Sequence, residues 1–482
     1  MKKPELMKVG SLLLITAAIL SANPSSAMSL NDYLNQVKQQ SLGLKASDQQ
    51  AEASALSVRE ADLYFTPKLL ANARVGHDGK ESFGAAVTYD RLKMQNYSLG
   101  VSQEFSFGLQ TKLMYAIDNT EVEGLSAPGY PSSVSFWDAT PQLELTMPLW
   151  KDGFGRTARA NEELVRQQNE AQKLGSLGQS QSYLVEAEAA YWNLSSAQEV
   201  VEVQKRASQA AQSILDYVSR KARMNLGENA DVLQAKALVE QTTFQLQQAV
   251  NTEKAARRNF NTFMNRGSEE AVERLDVMNY DGLQSVAIPA QKPGNRYDVQ
   301  AAAAQARTAK ASSALSAEKN KPQVDLYGSW ALNGRDEELN EAMKNAGKTE
   351  KDTAFVGVRV SIPLNVGAAS DARAGALKAE RAAEYSLQYK QFVQEQDWNN
   401  LVQQLGEAKE GFRLATNIVN AQKAKLDNER TRLRQGRTTT YQVLLFEQDY
   451  SQSEVNRVKS AALILGLQAR IKLYQNSPEG GI

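Results

Sequence analysis

Histidine and cysteine, two residue types that carry much of protein catalysis, are almost absent from this chain. The sequence of 482 residues contains no Cys and a single His. That residue, His77, lies in the polar stretch GHDGKESFG (76–84). A His-based triad or a zinc site would have to be built around one imidazole, and no Gly-rich phosphate loop ending in Lys-Ser or Lys-Thr is present. We therefore expect no catalytic residue, no cofactor and no metal, and we interpret the stretch as an exposed loop.

An acidic stretch, GRDEELNE (334–341), offers carboxylates that could bind Ca²⁺. It lacks the ordered ligand spacing of a calcium-binding loop. We interpret it as a second exposed loop.

The composition and the first residues indicate an exported protein. Lys and Arg number 55, as do Asp and Glu, and the mean hydropathy is −0.47, so much of the chain must face water. Lys2, Lys3 and Lys8 precede the apolar run VGSLLLITAAIL, and SSA ends at Ala27 with the small residues of a signal-peptidase site. We expect residues 1–27 to be a removed signal peptide.

The charge pattern and the short apolar runs narrow the compartment and the partners further. The sequence has no basic cluster of the kind that nucleic-acid binding requires, so we do not expect nucleic acid as a partner. No stretch reaches the roughly 20 apolar residues of a spanning helix, so we expect any membrane insertion to be by strands. The lack of Cys excludes disulfides and an N-terminal lipid anchor on Cys.

Two long stretches have the spacing of helices that pack along a narrow seam. In the first, small or apolar residues recur at alternating steps of four and three: Tyr183, Ala187, Ala190, Leu194, Ala197 and Val201. This spacing predicts long helices over 155–225 and 371–433, and shorter ones over 29–64, 231–264, 296–319 and 441–475. At 1.5 Å per residue, a helix of roughly 70 residues would be about 100 Å long. Because such a rod cannot bury its own seam, it must pack against others.

Between the helices, two segments (67–150 and 322–364) change to a period of two, which is typical of half-buried strands. The alternating apolar residues are Leu143, Leu145, Met147 and Leu149 in the first segment, and Val356, Val358, Val360 and Ile362 in the second. Most aromatic residues lie in or beside these segments, as in the girdles of a membrane barrel, although a soluble sandwich core would also collect them. We predict four strands, too few to close a barrel from one chain.

The first strand segment contains an additional candidate hairpin, NYSLGVSQEFSFGLQTKLMYAID, around residues 97–118. It has no counterpart in the second segment. An external loop, added barrel strands and a plug all fit this pattern.

The order of these segments occurs twice, which indicates an internal duplication. The first repeat is expected over 28–275 with a helix tip at 226–231, and the second over 295–482 with a tip at 434–441. A Gly- and Pro-containing linker at 265–294 joins them. Each tip contains a glycine, Gly227 or Gly436, that permits a backbone conformation unfavourable inside a helix.

This arrangement resembles the outer-membrane efflux protein family, of which TolC is the best-known member. MPLWKDGFGR, with Pro148 and Leu149, and IPLNVGAASDAR, with Pro363 and Leu364, resemble the family's strand-to-helix turns. NRYDV (295–299) resembles its Arg-Pro-Asp-Leu helix start, with Tyr297 in place of proline, and AYWNL (190–194) is also similar to the family. The resemblance covers almost all of the expected mature chain.

The resemblance implies an α+β membrane protein and a homotrimer in the outer membrane of a Gram-negative bacterium. Three chains of four strands would form a 12-stranded β-barrel continuous with a long periplasmic α-helical barrel. The implied function is a passive, gated exit duct of a tripartite efflux or type I secretion system. Its partners would be a periplasmic adaptor protein, an inner-membrane transporter of RND or ABC type, and outer-membrane lipid. The alternative is a secreted or periplasmic coiled-coil scaffold or adhesion rod with a soluble β head.

The resemblance also implies that the tips close the duct and dock the adaptor. The corresponding residues are Gly227, Asp231, Val232 and Leu233 in the first tip, and Leu433, Arg434, Gly436, Arg437, Thr438, Gln442, Val443 and Leu444 in the second. Gly436 precedes Val443 by seven positions, but Gly227 precedes Val232 by five, so the first tip is expected to be shorter.

The gate residues of the family are only partly present. The family's tip aspartate is present as Asp231, whereas Leu433 and Thr438 replace its tyrosine and arginine, and Gln442 and Leu445 replace its acidic ring. We hypothesise that Asp231 pairs with Arg434 or Arg437. Solvated surface charges are the alternative.

Overall fold

The computed structural model describes residues 27–80, 87–126, 128–348 and 350–475. The expected signal peptide lies, except for Ala27, outside the described residues. The chain divides into two compact units. Unit 1 contains Met1–Ser41, Glu186–Ala287 and Leu405–Ala469, and unit 2 contains Leu42–Val185, Ile288–Gln404 and Arg470–Ile482.

Helices make up most of the described chain. In order they are α1 (Leu30–Gln40), α2 (Leu42–Ser57), α3 (Arg156–Arg223), α4 (Asn229–Phe263), α5 (Tyr280–Gln284), α6 (Tyr297–Lys319), α7 (Leu339–Asn345), α8 (Val366–Arg434) and α9 (Thr440–Ile471). Short 3₁₀ helices span Val58–Phe65, Gly153–Gly155 and Lys472–Tyr474. No helix within the described ranges is long and apolar enough to cross a membrane.

The stretch predicted as a single helix over 29–64 is interrupted. Ser29 caps α1 by accepting a hydrogen bond from the backbone N–H of Asp32. The helix ends because Ser41, which is fully buried, has an extended backbone (φ −67°, ψ 120°). The chain then forms α2 and the first 3₁₀ helix, so the prediction of one continuous helix is wrong.

All named strands of the described chain lie in one antiparallel sheet in unit 2. They are β1 (Lys68–Asp78), β2 (Arg91–Glu104), β3 (Gln110–Glu123), β4 (Ser133–Pro148), β5 (Gln323–Leu332), β6 (Gly334–Asp336) and β7 (Asp352–Ser361). Their order is β1-β2-β3-β4-β5-β7, and the short β6 pairs with β4. The α+β fold predicted from the sequence is therefore confirmed.

The prediction of four strands undercounts this sheet. The unplaced segment around 97–118 forms most of β2 and β3, which pair with each other from Arg91 opposite Glu123 to Glu104 opposite Gln110. β2 pairs with β1, and β3 pairs with β4. Six of the strands are at least ten residues long.

Part of the core of unit 1 is built from small and branched residues on α3, α4 and α9. One cluster of buried side chains contains Ala211, Val218, Ala235, Leu238 and Leu444. Alanines allow helix backbones to approach closely, and the larger side chains fill the seam between them. Packing along a narrow seam therefore holds these helices together.

The part of the predicted linker (265–294) that belongs to unit 1 is attached to α3. The backbone N–H groups of Leu275 and Met278 donate to Gln198 and Glu199, at 3.1 Å in each case. The Tyr280 hydroxyl donates to the other oxygen of Glu199, and its ring stacks on Phe412. This stretch has no regular period, but specific hydrogen bonds fix its path.

Candidate functional site

The second tip, between α8 and α9, turns at Gly436. This residue has φ 73°, in the left-handed region that glycine adopts without strain. The Gly436 N–H donates to the carbonyl of Leu433 at 3.0 Å, and the Arg437 N–H donates to that of Arg432 at 2.9 Å. These bonds satisfy carbonyls that the end of α8 leaves unpaired, as in a Schellman motif.

The first tip has the same geometry, but Asn225 takes the left-handed position. Asn225 has φ 61°, and its N–H donates to the carbonyl of Ala222 at 3.0 Å. The next residue, Leu226, donates to Lys221 at 2.9 Å. Gly227 does not have a positive φ. The expectation that Gly227 provides the special backbone conformation is therefore wrong, because asparagine also tolerates this region and occupies it here.

The two tips are equal in length. Five residues, 224–228 and 435–439, separate the helices in each tip. Counted from the left-handed residue, Val232 and Val443 both follow at the seventh position. The expected shorter first tip is thus also wrong, since that comparison started from Gly227 instead of Asn225.

The apolar residues of the tips divide into buried and exposed groups. Val443 and Leu444 are buried, and Leu444 lies in the core cluster of unit 1, against which Val232 also packs. Met224, Leu226 and Leu233 are instead between 60% and 71% exposed. The first tip and the start of α4 therefore expose three large apolar side chains that no described part of the chain covers.

Ion pairs connect α8 to α9 below the second tip. Arg430 Nε donates to Glu447 Oε1 at 2.7 Å, and Lys425 Nζ lies 3.2 Å from Asp449 Oδ2. Glu447 is 8% exposed. Its burial raises the pKa of the carboxyl above the ordinary value, and the charge of Arg430 opposes that effect.

Thr438 stabilises the loop of the second tip. Its hydroxyl donates to Glu429, a buried carboxylate that also accepts from Arg432 at 3.4 Å.

Leu433 and Arg434 line a cavity of about 640 Å³ between α3 and the α8–α9 pair. Gln442 lies in the first turn of α9, where its backbone N–H donates to the hydroxyl of Thr439 at 3.4 Å.

The hypothesised gate pairs do not form within one chain. Among the described residues, no ion pair joins Asp231 to Arg434 or Arg437. Arg434 donates instead to the hydroxyl of Thr431 at 3.3 Å, and both arginines are exposed. The hypothesis therefore remains a prediction for contacts between copies of the chain.

The strand-to-helix turns contain the two Pro-Leu pairs. Pro148 ends β4, and the N–H of Leu149 donates to the Val324 carbonyl of β5 at 2.7 Å. Pro363 and Leu364 lie between β7 and α8, where Leu364 is 93% exposed. Other exposed apolar side chains near these turns are Trp150, Phe154, Ile362 and Val366.

The two faces of the sheet differ in character, and we call them the apolar face and the polar face. Cross-strand pairing sets the apolar face, whose members include Leu69, Val75, Tyr97, Leu99, Val101, Leu113, Leu145, Leu326, Trp330, Val356, Val358 and Val360. All of these side chains are exposed. On β2, the alternating residues of the polar face are half-buried instead. This is the reverse of a soluble sheet, in which the apolar side chains are the buried ones.

At the end of the sheet that is farther from α3, contacts on β2, β3 and β4 limit the exposed part of the apolar face. There α7 packs with Ala342 and Ala346 on Ala139. Lys93 pairs with Glu121 and Glu123 at 3.6 and 2.5 Å. At this end of the sheet, charged residues therefore follow the exposed apolar ones.

The described parts of the two stretches first considered for catalysis or metal binding lie in or beside the sheet. His77 is part of β1, opposite Lys93, and not in a loop as predicted. The acidic stretch 334–341 forms β6 and the start of α7, and Arg335 pairs with Asp138 on β4 at 2.7 Å. No group of three or more His, Cys, Asp and Glu within the described ranges could hold a metal ion.

No protein-family profile matches the sequence, and no curated protein matches it. Solved structures do match the fold. The outer membrane protein VceC from Vibrio cholerae is 14% identical with a TM-score of 0.63, covering 92% of this chain and 95% of that chain. The Campylobacter jejuni CmeC outer membrane channel is 12% identical with a TM-score of 0.63, covering 98% and 93%.

The open state of the Neisseria gonorrhoeae MtrE outer membrane channel is similar to the same extent. It is 16% identical with a TM-score of 0.61, covering 92% of this chain and 88% of that chain. The chain therefore has the fold of TolC-like outer-membrane channels, as the sequence resemblance predicted.

Proposed function

We propose that this chain is the protomer of a passive, gated exit duct in the outer membrane of a Gram-negative bacterium. The observation that carries the proposal is the reversed burial of the sheet. Val356, Val358 and Val360 on β7 are 80%, 62% and 59% exposed, and β2 exposes its apolar side chains in the same way. An apolar surface of this kind is unfavourable in water and favourable in contact with lipid chains.

The loop lengths support insertion in one orientation. The turn between β2 and β3 is short, spanning residues 105–109, and lies at the end of the sheet where β4 leads into α3. The connections at the opposite end are longer, at 79–90, 124–132 and the stretch from 333 to 351 that includes α7. Outer-membrane barrels have short periplasmic turns and long external loops. The end near α3 would therefore be periplasmic.

The reversed sheet counts against a scaffold with a soluble β head. A soluble sandwich would bury its apolar face against a second layer. Here α7 covers the apolar face at Ala139, while the members of that face named above remain exposed. The likeness to outer-membrane channels supports the same choice.

Several copies must share one barrel, because a single sheet of this width cannot close. We propose a homotrimer, as the resemblance implies. The equal geometry of the tips at Asn225 and Gly436 supports the internal duplication. The tips would form the gate, and the apolar surface of Met224, Leu226 and Leu233 would bind a periplasmic adaptor.

The duct would be passive, with energy supplied by an inner-membrane transporter of a tripartite efflux or type I secretion system. Nothing in the chain is proposed to be catalytic. Transport would therefore require only a water-filled path and a gate.

The first test is purification from outer-membrane fractions in detergent, with mass measurement and single-channel recording in a planar bilayer. A trimer with small, stable conductance steps is the expected result. A soluble species without conductance would overturn the proposal and favour the scaffold. Export assays with paired adaptors and transporters would then separate small-molecule efflux from protein secretion.

A further inference from the structure

The hairpin of β2 and β3 is fully integrated into the sheet. Residues Lys68 to Asp78 of β1 pair without interruption with Ser102 to Leu92 of β2. On the other side, β3 pairs with β4 from Gln110 opposite Thr146 to Glu123 opposite Ser133. Both strands have 14 residues, more than the roughly 9–11 that a tilted strand needs to cross a membrane.

The hairpin continues both faces of its neighbours. Along one row of the apolar face, Leu69 of β1 lies opposite Val101, Val101 opposite Leu113, and Leu113 opposite Leu143 of β4. Leu99, Val101 and Leu113 are exposed. A plug inside a barrel would have no reason to present an exposed apolar face in register with that of the wall.

The polar face is connected across the hairpin by side-chain hydrogen bonds. Asn72 of β1 donates to Asn96 of β2 at 3.1 Å, and Asn96 donates to Asp118 of β3 at 2.5 Å. On the next pair of strands, Lys112 of β3 lies 3.4 Å from Glu144 of β4. A row of polar contacts on one face is expected where that face lines an aqueous lumen.

The turn between β2 and β3 (105–109) lies close against the start of α3, and two glycines permit this close approach. A Cβ added to Gly108 would lie 2.4 Å from the backbone nitrogen of Gly155, and one on Gly155 would lie 2.4 Å from the carbonyl oxygen of Ser106. Arg159 also donates to the Ser106 carbonyl at 2.5 Å. The hairpin is thus fixed at the strand-to-helix turn and does not form a separate loop.

We propose that β2 and β3 are part of the membrane wall, so that each chain contributes six long strands instead of four. The inference rests on the proposed function. The strands at the two ends of the sheet, β1 and β7, run in opposite directions, because four antiparallel strands separate them. β7 of one copy can therefore pair antiparallel with β1 of the next copy.

A trimer would then close as a barrel of 18 strands. Because barrel diameter grows roughly in proportion to strand number, this barrel would be about half again as wide as one of 12 strands. The part of the duct in the outer membrane would therefore be wider than a barrel built from the four strands per chain that the sequence predicted.

Single-cysteine labelling tests the proposal, since the natural chain contains no Cys. Leu99→Cys and Leu113→Cys place a fluorophore on the apolar face of the hairpin, and Ser98→Cys places one on the polar face. In vesicles containing nitroxide-labelled lipids, we expect several-fold stronger quenching at Leu99 and Leu113 than at Ser98. Ser98→Cys should react with a water-soluble thiol reagent that enters the lumen.

Matched variants on a neighbouring strand separate this inference from the proposed function. Leu145→Cys and Thr146→Cys report the two faces of β4, which belongs to the wall whether or not the hairpin does. Quenching at Leu145 but not at Leu99 or Leu113 would overturn the inference and leave the proposed function standing. An absence of quenching at all three leucines, in variants that still purify as folded protein, would overturn both.

Discussion

Asn225 and Gly436 occupy the same left-handed position in the two helix tips, with φ values of 61° and 73°. In each tip the residue after it donates a hydrogen bond to a carbonyl five residues earlier, at 2.9 Å. Different residue types thus support one backbone geometry. The relationship also identifies which tip residues correspond, because it places Asp231 opposite Gln442 and Val232 opposite Val443 in the two repeats proposed here.

The backbone conformation at Gly436 predicts the effect of adding a methyl group there. No atom lies within 4 Å of a Cβ built on Gly436, so the strain of the left-handed backbone is the main cost. We expect Gly436→Ala to destabilise unit 1 by about 1 kcal/mol. Gly411→Ala, in α8 and equally free of contacts, is the control and should stabilise the helix by up to about 1 kcal/mol. Thermal unfolding in detergent measures both, and equal shifts would contradict the prediction.

The close approach of α3 to α6 predicts opposite effects for two glycines one turn apart. A Cβ on Gly178 would lie 3.1 Å from the Cβ of Tyr297, whereas one on Gly175 meets nothing within 4 Å. We expect Gly175→Ala to stabilise by up to about 1 kcal/mol through helix propensity. In Gly178→Ala the steric contact should cancel or reverse this gain. The same unfolding assay compares them, and a gain at Gly178 equal to that at Gly175 would show that the seam can adjust freely.

The burial of Glu447 predicts a specific dependence of stability on pH. Because burial raises its pKa above the ordinary 4.5, the folded chain binds the proton more strongly than the unfolded chain does. This contribution to stability is present at low pH and is lost as pH rises through the raised pKa. Relative to Glu447→Gln, the natural chain should therefore lose thermal stability as pH increases from below 4.5 to neutral.

Glu410 provides a control of opposite sign on α8. Its two hydrogen bonds from Arg413, at 2.8 and 2.6 Å, lower the pKa of its carboxyl. Its contribution is present above the ordinary pKa and is lost as pH falls through the lowered pKa. Relative to Glu410→Gln, the natural chain should lose stability on acidification. Slopes of the same sign for both variants would show that these two local environments do not control the titrations.

The sequence predicts the long helices and the strands β4 and β7 because both kinds of element leave a regular apolar period. The heptad spacing predicted a helix over 155–225, and α3 spans Arg156–Arg223. The alternation of Val356, Val358 and Val360 predicted β7. The same alternation in β2, with Ser98, Gly100 and Ser102 on the polar face, predicted a hairpin but not its place in the sheet. Its membership of the sheet is fixed by pairing with β1 and β3, which no local pattern reveals.

The left-handed residue of the first tip was missed for a related reason. Glycine is the usual signal for this backbone conformation, and Gly227 lies only two positions after Asn225. If Asn is also considered at the end of a helical period, Asn225 and Gly227 are both candidates for the left-handed position. Only the hydrogen bonds to Lys221 and Ala222 distinguish them. The proposed gate contacts cannot be predicted from one chain either, because they would form between copies.

Charge reversal at the first tip tests the proposed gate. Asp231 lies in the first turn of α4 and forms no ion pair with any described residue, while Arg434 and Arg437 are exposed at the second tip. If Asp231 pairs with either arginine of a neighbouring copy, Asp231→Arg replaces attraction by repulsion around the whole ring of tips. Exposed pairs contribute only about 0 to 1 kcal/mol each, but a trimer would lose several together.

We expect Asp231→Arg to raise single-channel conductance and antibiotic leakage into cells. Glu240→Arg, a charge reversal at an exposed position further along α4, is the matched control and should leave both unchanged. Combining Asp231→Arg with Arg434→Asp and Arg437→Asp should restore part of the low conductance, because opposite charges again face each other across the tips. If Asp231→Arg conducts like the natural chain while Asp231, Arg434 and Arg437 remain accessible to labelling, these charges are solvated and the gate is held by other contacts.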